Sequence, residues 1–240
     1  MRLLSLSLIC CALLTCISSS YAQEKANKKS GAVEDGFTSI FNGSDLSGWR
    51  GNTDLWSVED GSITGHTTAE NPLKFNTFLI YDEGPVADFE LRLDYKINAG
   101  NSGIQYRSQI IDEEKFIVGG YQADIDSTPR YTGINYEERG RGILAERGQR
   151  VTIAADGSKT VEDFGDPVEL AKKLEAGGWN HYRVVAEGNR LSHYINDVLM
   201  SEVIDNQVDK AAKSGVLAFQ VHQGPPMVVQ FKNIRMKTID

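Results

Sequence analysis

The segment Phe89–Ile97 alternates apolar and charged side chains without interruption, as FELRLDYKI. Successive side chains of a β-strand point to opposite faces of its sheet, so this pattern predicts a strand with one buried face and one face in water. Period-two segments of this kind recur from Phe37 onward. A chain patterned in this way buries its apolar faces by packing sheet against sheet.

The other candidate strands are short and are separated by turn signals. They are Trp56–Val58, Phe78–Tyr81, Ile104–Ser108, Tyr121–Asp126, Val151–Ala154, His181–Glu187, Arg190–Ile195, Val216–Val221 and Val228–Met236. Dipeptides such as Asp60-Gly61 and Asn196-Asp197 are typical of hairpins. One helix is predicted after Asp166, with Pro167 in its first turn and Gly177-Gly178 at its end. The pattern indicates an all-β fold: a two-sheet antiparallel jelly-roll sandwich with one short surface helix.

The first residues have the features of an export signal. Arg2, a short apolar run and the small residues Ser20 and Ala22 predict a signal peptide over residues 1–22. Residues 23–35 are expected to form a flexible leader, and residues 36–240 the sandwich domain. We expect an exported protein, periplasmic or extracellular, without a stable membrane span; a lipid anchor on Cys16 is the less favoured alternative.

Charge and cysteine usage limit the partners and the chemistry. The chain has 25 Lys and Arg against 33 Asp and Glu, a net charge of −8, which disfavours nucleic acid as a partner. Its cysteines all lie within residues 1–22, so the mature chain is predicted to have no disulfide. Nothing in the sequence indicates an oligomeric state.

Polar side chains occupy one face of three candidate strands. They are Gln105 and Arg107 in the first, Gln122, Asp124 and Asp126 in the second, and Gln220 and His222 in the third. Alternate residues of a strand stand about 7 Å apart on one face. If the three strands are neighbours, these groups line one groove, and we expect the outer face of that sheet to bind the ligand.

The residue at position 122 bears on the chemistry of this groove. Sandwich glucanases of the laminarinase type carry a Glu-x-Asp-x-Glu ladder, but Gln122 cannot form a glycosyl-enzyme ester, which disfavours retaining hydrolysis. His222 lies at the end of its strand, where a general base or a ligand would be exposed. No cofactor is predicted; a divalent ion held by Asp124 or Asp126 with His222 is the alternative, although no known metal-site spacing is present.

A glycine-rich connection runs from Thr132 to Leu144 and carries Tyr136 and two arginines, Arg139 and Arg141. Loops of this composition can close over a ligand. The arginines could equally offset the neighbouring glutamates, so a role in binding and a solvated loop both remain open.

An ordered set of motifs resembles the secreted 3-keto-disaccharide hydrolase family. The motifs are Phe37–Trp49 with Asn42-Gly43 and Gly48-Trp49, Asp88–Leu91, Gly100–Ile104 with Arg107, Trp179-Asn180, His193–Asn196, Gln220-x-His222 and Phe231-x-Asn233-Ile234. The likeness covers the whole predicted domain. Many relatives have Glu and Gln where this chain has Gln122 and Asp124.

The resemblance implies a concanavalin A-like jelly roll that acts on glycosides oxidised at C3. A C3 ketone acidifies the C2 proton, so a base can remove it and the C1 substituent can leave by elimination, after which water adds. The matching polar residues are Asn101, Arg107, Gln220, His222 and Tyr136. His222 or Asp124 would then be the base, and Arg107 would stabilise the developing negative charge.

Three other functions are compatible with the sequence. A non-catalytic carbohydrate-binding module is the main alternative to an enzyme, and a structural interaction domain and an ordinary glucanase are the others. The titratable groups Arg107, Asp124 and His222, predicted on one face, favour the enzyme, because binding modules rely more on exposed aromatic rings and neutral amides.

Overall fold

The computed structural model describes residues 34–239. Residues 34–37 form a hydrogen-bonded turn, and the sandwich is built from the strands that follow. These are β1 (Thr38–Ser39), β2 (Trp49–Arg50), β3 (Trp56–Glu59), β4 (Ser62–His66), β5 (Thr77–Tyr81), β6 (Phe89–Ile97), β7 (Asn101–Asp112), β8 (Ile117–Asp126), β9 (Asn135–Glu138), β10 (Gly142–Ala145), β11 (Gln149–Ile153), β12 (Lys159–Asp163), β13 (Asn180–Glu187), β14 (Arg190–Ile195), β15 (Val198–Asp205), β16 (Val216–Val221) and β17 (Val228–Thr238). The single helix among these residues, α1, spans Pro167–Ala171.

The strands form two sheets. A ten-stranded sheet has the order β12-β11-β15-β14-β13-β6-β17-β4-β3, with β1 beside β17, and a seven-stranded sheet has the order β10-β9-β8-β7-β16-β5-β2. The predicted all-β sandwich is thus confirmed. One pairing differs from the antiparallel expectation, since β11 and β15 run parallel.

Between the sheets lies one main hydrophobic core. The apolar positions of β6, including Leu91 and Leu93, face those of β7, β8 and β16, including Ile104, Ala123 and Phe219. The rings of Phe219 and Phe231 stack across this space at 4.1 Å. Burial of this face of the seven-stranded sheet leaves its other face for polar side chains.

The hairpin β7–β8 bends back over the outer face of its own sheet. Its register shifts near the middle, and beyond the shift Val118 packs on outward-facing Phe78 and Ala218 in a second apolar cluster. The carbonyl of Phe116 accepts a hydrogen bond from the Phe78 amide of β5, at 3.0 Å. The tip of the hairpin therefore covers one part of the outer face.

The helix begins as the sequence predicts. Asp166 accepts hydrogen bonds from the amides of Val168 and Glu169, and Pro167 opens the first turn. The helix ends at Ala171, several residues before the predicted Gly177. Within residues 34–239 no helix is long and apolar enough to cross a membrane. The predicted signal peptide and most of the predicted leader lie outside the described residues.

Candidate functional site

The strands that carry the predicted polar face are neighbours. β8 pairs with β7, and β7 pairs with β16. In this register Gln105 lies opposite Gln122 on one side and Ala218 on the other, and Gly103 lies opposite Asp124. These residues alternate with core residues, so they share the outer face of the seven-stranded sheet.

A chain of hydrogen bonds crosses this face, and we call it the amide ladder. The hydroxyl of Ser108 donates to Oε1 of Gln105 (2.5 Å), Nε2 of Gln105 donates to Oε1 of Gln122 (2.7 Å), and Nε2 of Gln122 donates to Oδ1 of Asp124 (3.1 Å). Nε2 of Gln220 also donates to Oε1 of Gln122, at 3.2 Å. The ladder thus ends on a carboxyl group.

Asp124 is buried, with 5% of its surface exposed. Its Oδ1 accepts hydrogen bonds from the side-chain amides of Asn101 and Gln122, both at 3.1 Å. The backbone of Ile125 also hydrogen-bonds the carboxyl group, and no side chain within residues 34–239 donates to Oδ2. Burial raises the pKa of Asp124 to about 8, with a further contribution from the nearby charge of Asp126, and the two amide donors only partly oppose this rise. The site therefore holds a carboxyl group that titrates near neutral pH and has one oxygen to which no described side chain donates.

The margin of the ladder is more exposed than its centre. Asn101, Asp126, Tyr136 and His222 are each half-buried, whereas Gln105 and Gln220 have no exposed surface. Tyr136 lies opposite Gln122 in the register of β8 and β9, and burial raises the pKa of its phenol. These half-buried groups are the ones that a ligand would meet first.

The side chains of Asp126 and His222 each contact a backbone group of a neighbouring residue. Oδ1 of Asp126 accepts a hydrogen bond from the amide of Thr128, at 2.6 Å. Nδ1 of His222 contacts the carbonyl of Gln223, and the register of β16 and β7, continued beyond its last pair, brings His222 toward Asn101. His222 therefore lies at the open end of the face with its Nε2 unused among the described residues.

The prediction that Arg107 lies in the groove with Gln105 is wrong. A β-bulge interrupts β7 after Tyr106, and Arg107 adopts a left-handed backbone conformation with φ of 48°. The bulge breaks the alternation and turns the guanidinium toward the other sheet, where it donates to Ala87 O (2.7 Å), Gly188 O (2.8 Å) and Asp88 Oδ1 (2.6 Å). With 1% of its surface exposed, Arg107 joins the sheets and does not face the ladder.

We expect Arg107→Met to affect stability and not turnover. The substitution leaves two backbone carbonyls without their donor and should lower the free energy of unfolding by about 2–4 kcal/mol, measured by urea denaturation. Arg130→Met, on an exposed loop, is the matched control and should change it by less than about 0.5 kcal/mol. A large loss of kcat with unchanged stability would contradict this prediction and would indicate a catalytic role for Arg107.

Two residues of the site were not predicted from the sequence. Ser108 starts the amide ladder, and Gly103 makes room for it, since a Cβ atom at Gly103 would overlap the side chain of Gln122. Gly103 belongs to the sequence motif Gly100–Ile104, but its contact with Gln122 depends on the pairing of β7 with β8. Within residues 34–239 no three His, Cys, Asp or Glu side chains gather as a metal site.

Solved structures with the same fold include several carbohydrate-related proteins. A provisionally assigned glycosyl hydrolase from Parabacteroides distasonis is 20% identical, with a TM-score of 0.55 over 87% of this chain and 98% of its own. The carbohydrate-binding module CBM66 from Bacillus subtilis is 16% identical, with a TM-score of 0.53 over 81% of this chain and 98% of its own. At these identities the likeness shows the fold alone. Comparison with curated proteins gives no significant match.

The family comparison covers almost all of the sandwich. The profile of the 3-keto-alpha-glucoside-1,2-lyase-like domain matches residues 36–237, which agrees with the resemblance found in the sequence motifs. The chain belongs to the family of 3-keto-alpha-glucoside-1,2-lyase-like domains.

Proposed function

We propose that this protein is an exported enzyme that cleaves 3-keto-glycosides, with Asp124 as the base that removes the C2 proton. The observation that carries the proposal is the carboxyl group of Asp124, whose pKa lies near 8 and whose Oδ2 accepts no side-chain hydrogen bond among the described residues. A base is most effective when its pKa lies near the working pH. Asp124 is preferred over His222 for this role because it is fixed within the amide ladder by two side-chain donors, whereas His222 lies at the margin.

The proposed reaction begins at the carbon next to the ketone. Oδ2 of Asp124 takes the C2 proton, and the C2–H electron pair moves into an enolate whose negative charge rests on the C3 oxygen. The enolate then re-forms the ketone, its electrons make the C1–C2 double bond, and the C1–O bond breaks. The aglycone oxygen leaves with the C1–O electron pair and takes up a proton. Addition of water at C1, with return of a proton to C2, completes a net hydrolysis; without it the net reaction is elimination.

The enolate oxygen requires a hydrogen-bond donor. Arg107 points away, so the phenol of Tyr136 is the better candidate: it lies beside Gln122, is half-buried, and its raised pKa keeps the hydroxyl protonated at neutral pH. His222 stands at the open end of the face, where the aglycone would leave, and is proposed to supply its proton. Asn101, half-buried at the margin, remains a proposed substrate contact, whereas Gln220, which was also predicted to bind substrate, has no exposed surface and supports Gln122.

The test is turnover of a 3-keto-glucoside beside its unoxidised parent. Because only the ketone acidifies the C2 proton, we expect cleavage of the oxidised substrate and none of the parent. The released aglycone is measured by chromatography. Exchange of the C2 proton with deuterated water should accompany turnover. Cleavage of the parent at a similar rate, or no exchange at C2, would contradict this mechanism.

A neutral amide at the margin favours a second candidate function. The side-chain amide of Asn101, half-buried at the margin, is of the kind that binds sugar hydroxyls, and a non-catalytic carbohydrate-binding module would use it in this way. In the same assay such a module would bind the glycoside, as seen by calorimetry, without turnover of either substrate. Binding without turnover would therefore favour the module over the enzyme.

A further inference from the structure

The side chain of Gln122 is the central connection of the amide ladder. Its Oε1 accepts hydrogen bonds from two buried amides, those of Gln105 and Gln220, and its Nε2 donates to Asp124. Gln122 is 2% exposed and both of its amide donors are fully buried. An amide held at its oxygen by two donors has its nitrogen directed to one place, which here is Oδ1 of Asp124.

The space that Gln122 occupies is provided by Gly103. Gly103 lies opposite Asp124 in the neighbouring strand, and a Cβ atom at this position would overlap Cδ, Cγ and Nε2 of Gln122. Gly103 is not among the residues with positive φ, so alanine suits its backbone conformation. Its missing side chain is therefore required by the close approach of Gln122 and not by the backbone.

Gln122 acts on Asp124 in a way that Asn101 cannot reproduce. Both amides donate to Oδ1, but Asn101 is half-buried at the margin, whereas Gln122 is held from behind by Gln105 and, through it, by Ser108. The charged and titratable groups near Asp124 are Asp126 on the same strand, whose charge raises its pKa, and the phenols of Tyr136 and Tyr182. None of these groups donates to either oxygen of Asp124 within residues 34–239.

We propose that Gln122 is a positioning residue, which fixes the carboxyl group of Asp124 by its Oδ1 and so selects Oδ2 as the oxygen that exchanges a proton with substrate. This inference rests on the proposed function, because it assigns the orientation of the proposed base. It does not require that Gln122 touch the substrate. Gly103 supports the same arrangement by leaving the space in which the Gln122 amide lies.

Two variants disturb this arrangement by different means. Gln122→Met keeps the length of the side chain but removes its hydrogen bonds, whereas Gly103→Ala keeps every hydrogen-bonding group and displaces Gln122 sterically. In both we expect the pKa of Asp124 to rise by about one pH unit, because the carboxylate loses a donor. We also expect kcat to fall about 10- to 100-fold with little change in KM.

The matched control is Gln230→Met, which removes a half-buried glutamine from the outer face of the other sheet, where its side chain bonds only Thr64 among residues 34–239. It should leave both readouts unchanged. The pKa is followed by carbon-13 NMR of labelled aspartate carboxyls, with Asp124→Asn used to assign the signal, and circular dichroism confirms that each variant folds.

The outcomes separate this inference from the proposed function. Positioning by Gln122 is overturned if both variants leave the Asp124 pKa within about 0.3 pH units and kcat within two-fold of the wild type. It is also overturned if only Gln122→Met has an effect. If the wild type does not turn over 3-keto-glycosides, the proposed function fails, while the NMR titration still decides whether Gln122 holds the carboxyl group.

Discussion

Asp124→Asn is expected to reduce turnover of a 3-keto-glycoside by about 10²- to 10⁴-fold, the usual contribution of a general base. Asparagine preserves the size of the side chain, and its amide oxygen can still accept the hydrogen bonds from Asn101 and Gln122 that Oδ1 receives now. The fold should therefore be kept while the proton acceptor is lost. The measurement is kcat under saturating substrate, with C2 deuterium exchange as the direct report on proton removal.

The pH dependence provides a check on the same residue. A base with a pKa near 8 is ionised only above that value, so the wild-type rate should rise as the pH increases through about 8, and Asp124→Asn should remove this rise. The effect on stability has the opposite direction. Because the folded state raises this pKa from 3.8, the protonated form is favoured on folding, and wild-type stability relative to Asp124→Asn should fall as pH rises from about 4 to about 8.

Asp126→Asn is the matched control for Asp124→Asn. It also removes one carboxylate from β8, but Asp126 is half-buried and its Oδ1 accepts a backbone amide hydrogen bond, so its loss should change kcat far less. Removing its charge should also lower the pH at which the rate rises. Equal losses in both variants, or a wild-type rate independent of pH between 6 and 9, would contradict the assignment of Asp124 as the base.

Arg141→Met is expected to lower the free energy of unfolding by about 3–5 kcal/mol, as removal of one partner from a buried ion pair does. Arg141 donates to Oδ2 of Asp205 at 2.6 Å and to Oε2 of Glu137 at 2.6 Å. The Asp205 side chain is 1% exposed. Without the guanidinium, two carboxylates are left in a poorly solvated place.

The surrounding contacts show why Arg141 is structural. Burial opposes ionisation of Asp205, but hydrogen bonds from Arg141 and from the Tyr121 hydroxyl lower its pKa. Glu137 and Asp205 belong to different sheets, so Arg141 ties the sheets together. Arg141 thus offsets Glu137, as one interpretation of the sequence expected, but it does so in a buried ion pair between strands and not in a solvated loop.

Urea denaturation at pH 7 measures the effect, with Arg139→Met as the control. Arg139 is exposed and lies in the same connection, so its replacement should change stability by less than about 0.5 kcal/mol. A similar loss in both variants would show that the connection as a whole matters and not the buried pair.

Local pattern predicted most of the strands because each depends mainly on which of its own residues are apolar. The segments 89–97, 190–195 and 216–221 were predicted with the bounds that the structure has. β15 was not among the predicted strands, because Glu202 falls on a buried position. Its carboxylate is accommodated by Arg150 and Arg190, from two other strands, and no local pattern contains that information.

In the candidate site, too, local pattern predicted the regular positions and missed those that depend on distant residues. The alternation rule correctly put Gln105, Gln122, Asp124 and Gln220 on one face. It failed at Arg107, because the rule assumes a regular strand and a bulge shifts every later residue to the opposite face. The bulge depends on distant chain: the backbone of Arg107 and Ser108 lies against Gly215, where a Cβ atom would not fit.

The bent β7–β8 hairpin limits the directions from which a ligand can approach Asp124. It closes the outer face at one end, near Phe78 and Val118, and leaves the other end open near Asn101 and His222. If the protein acts as proposed, its ligand approaches the amide ladder from the end at Asn101 and His222, because the hairpin covers the opposite end of the outer face.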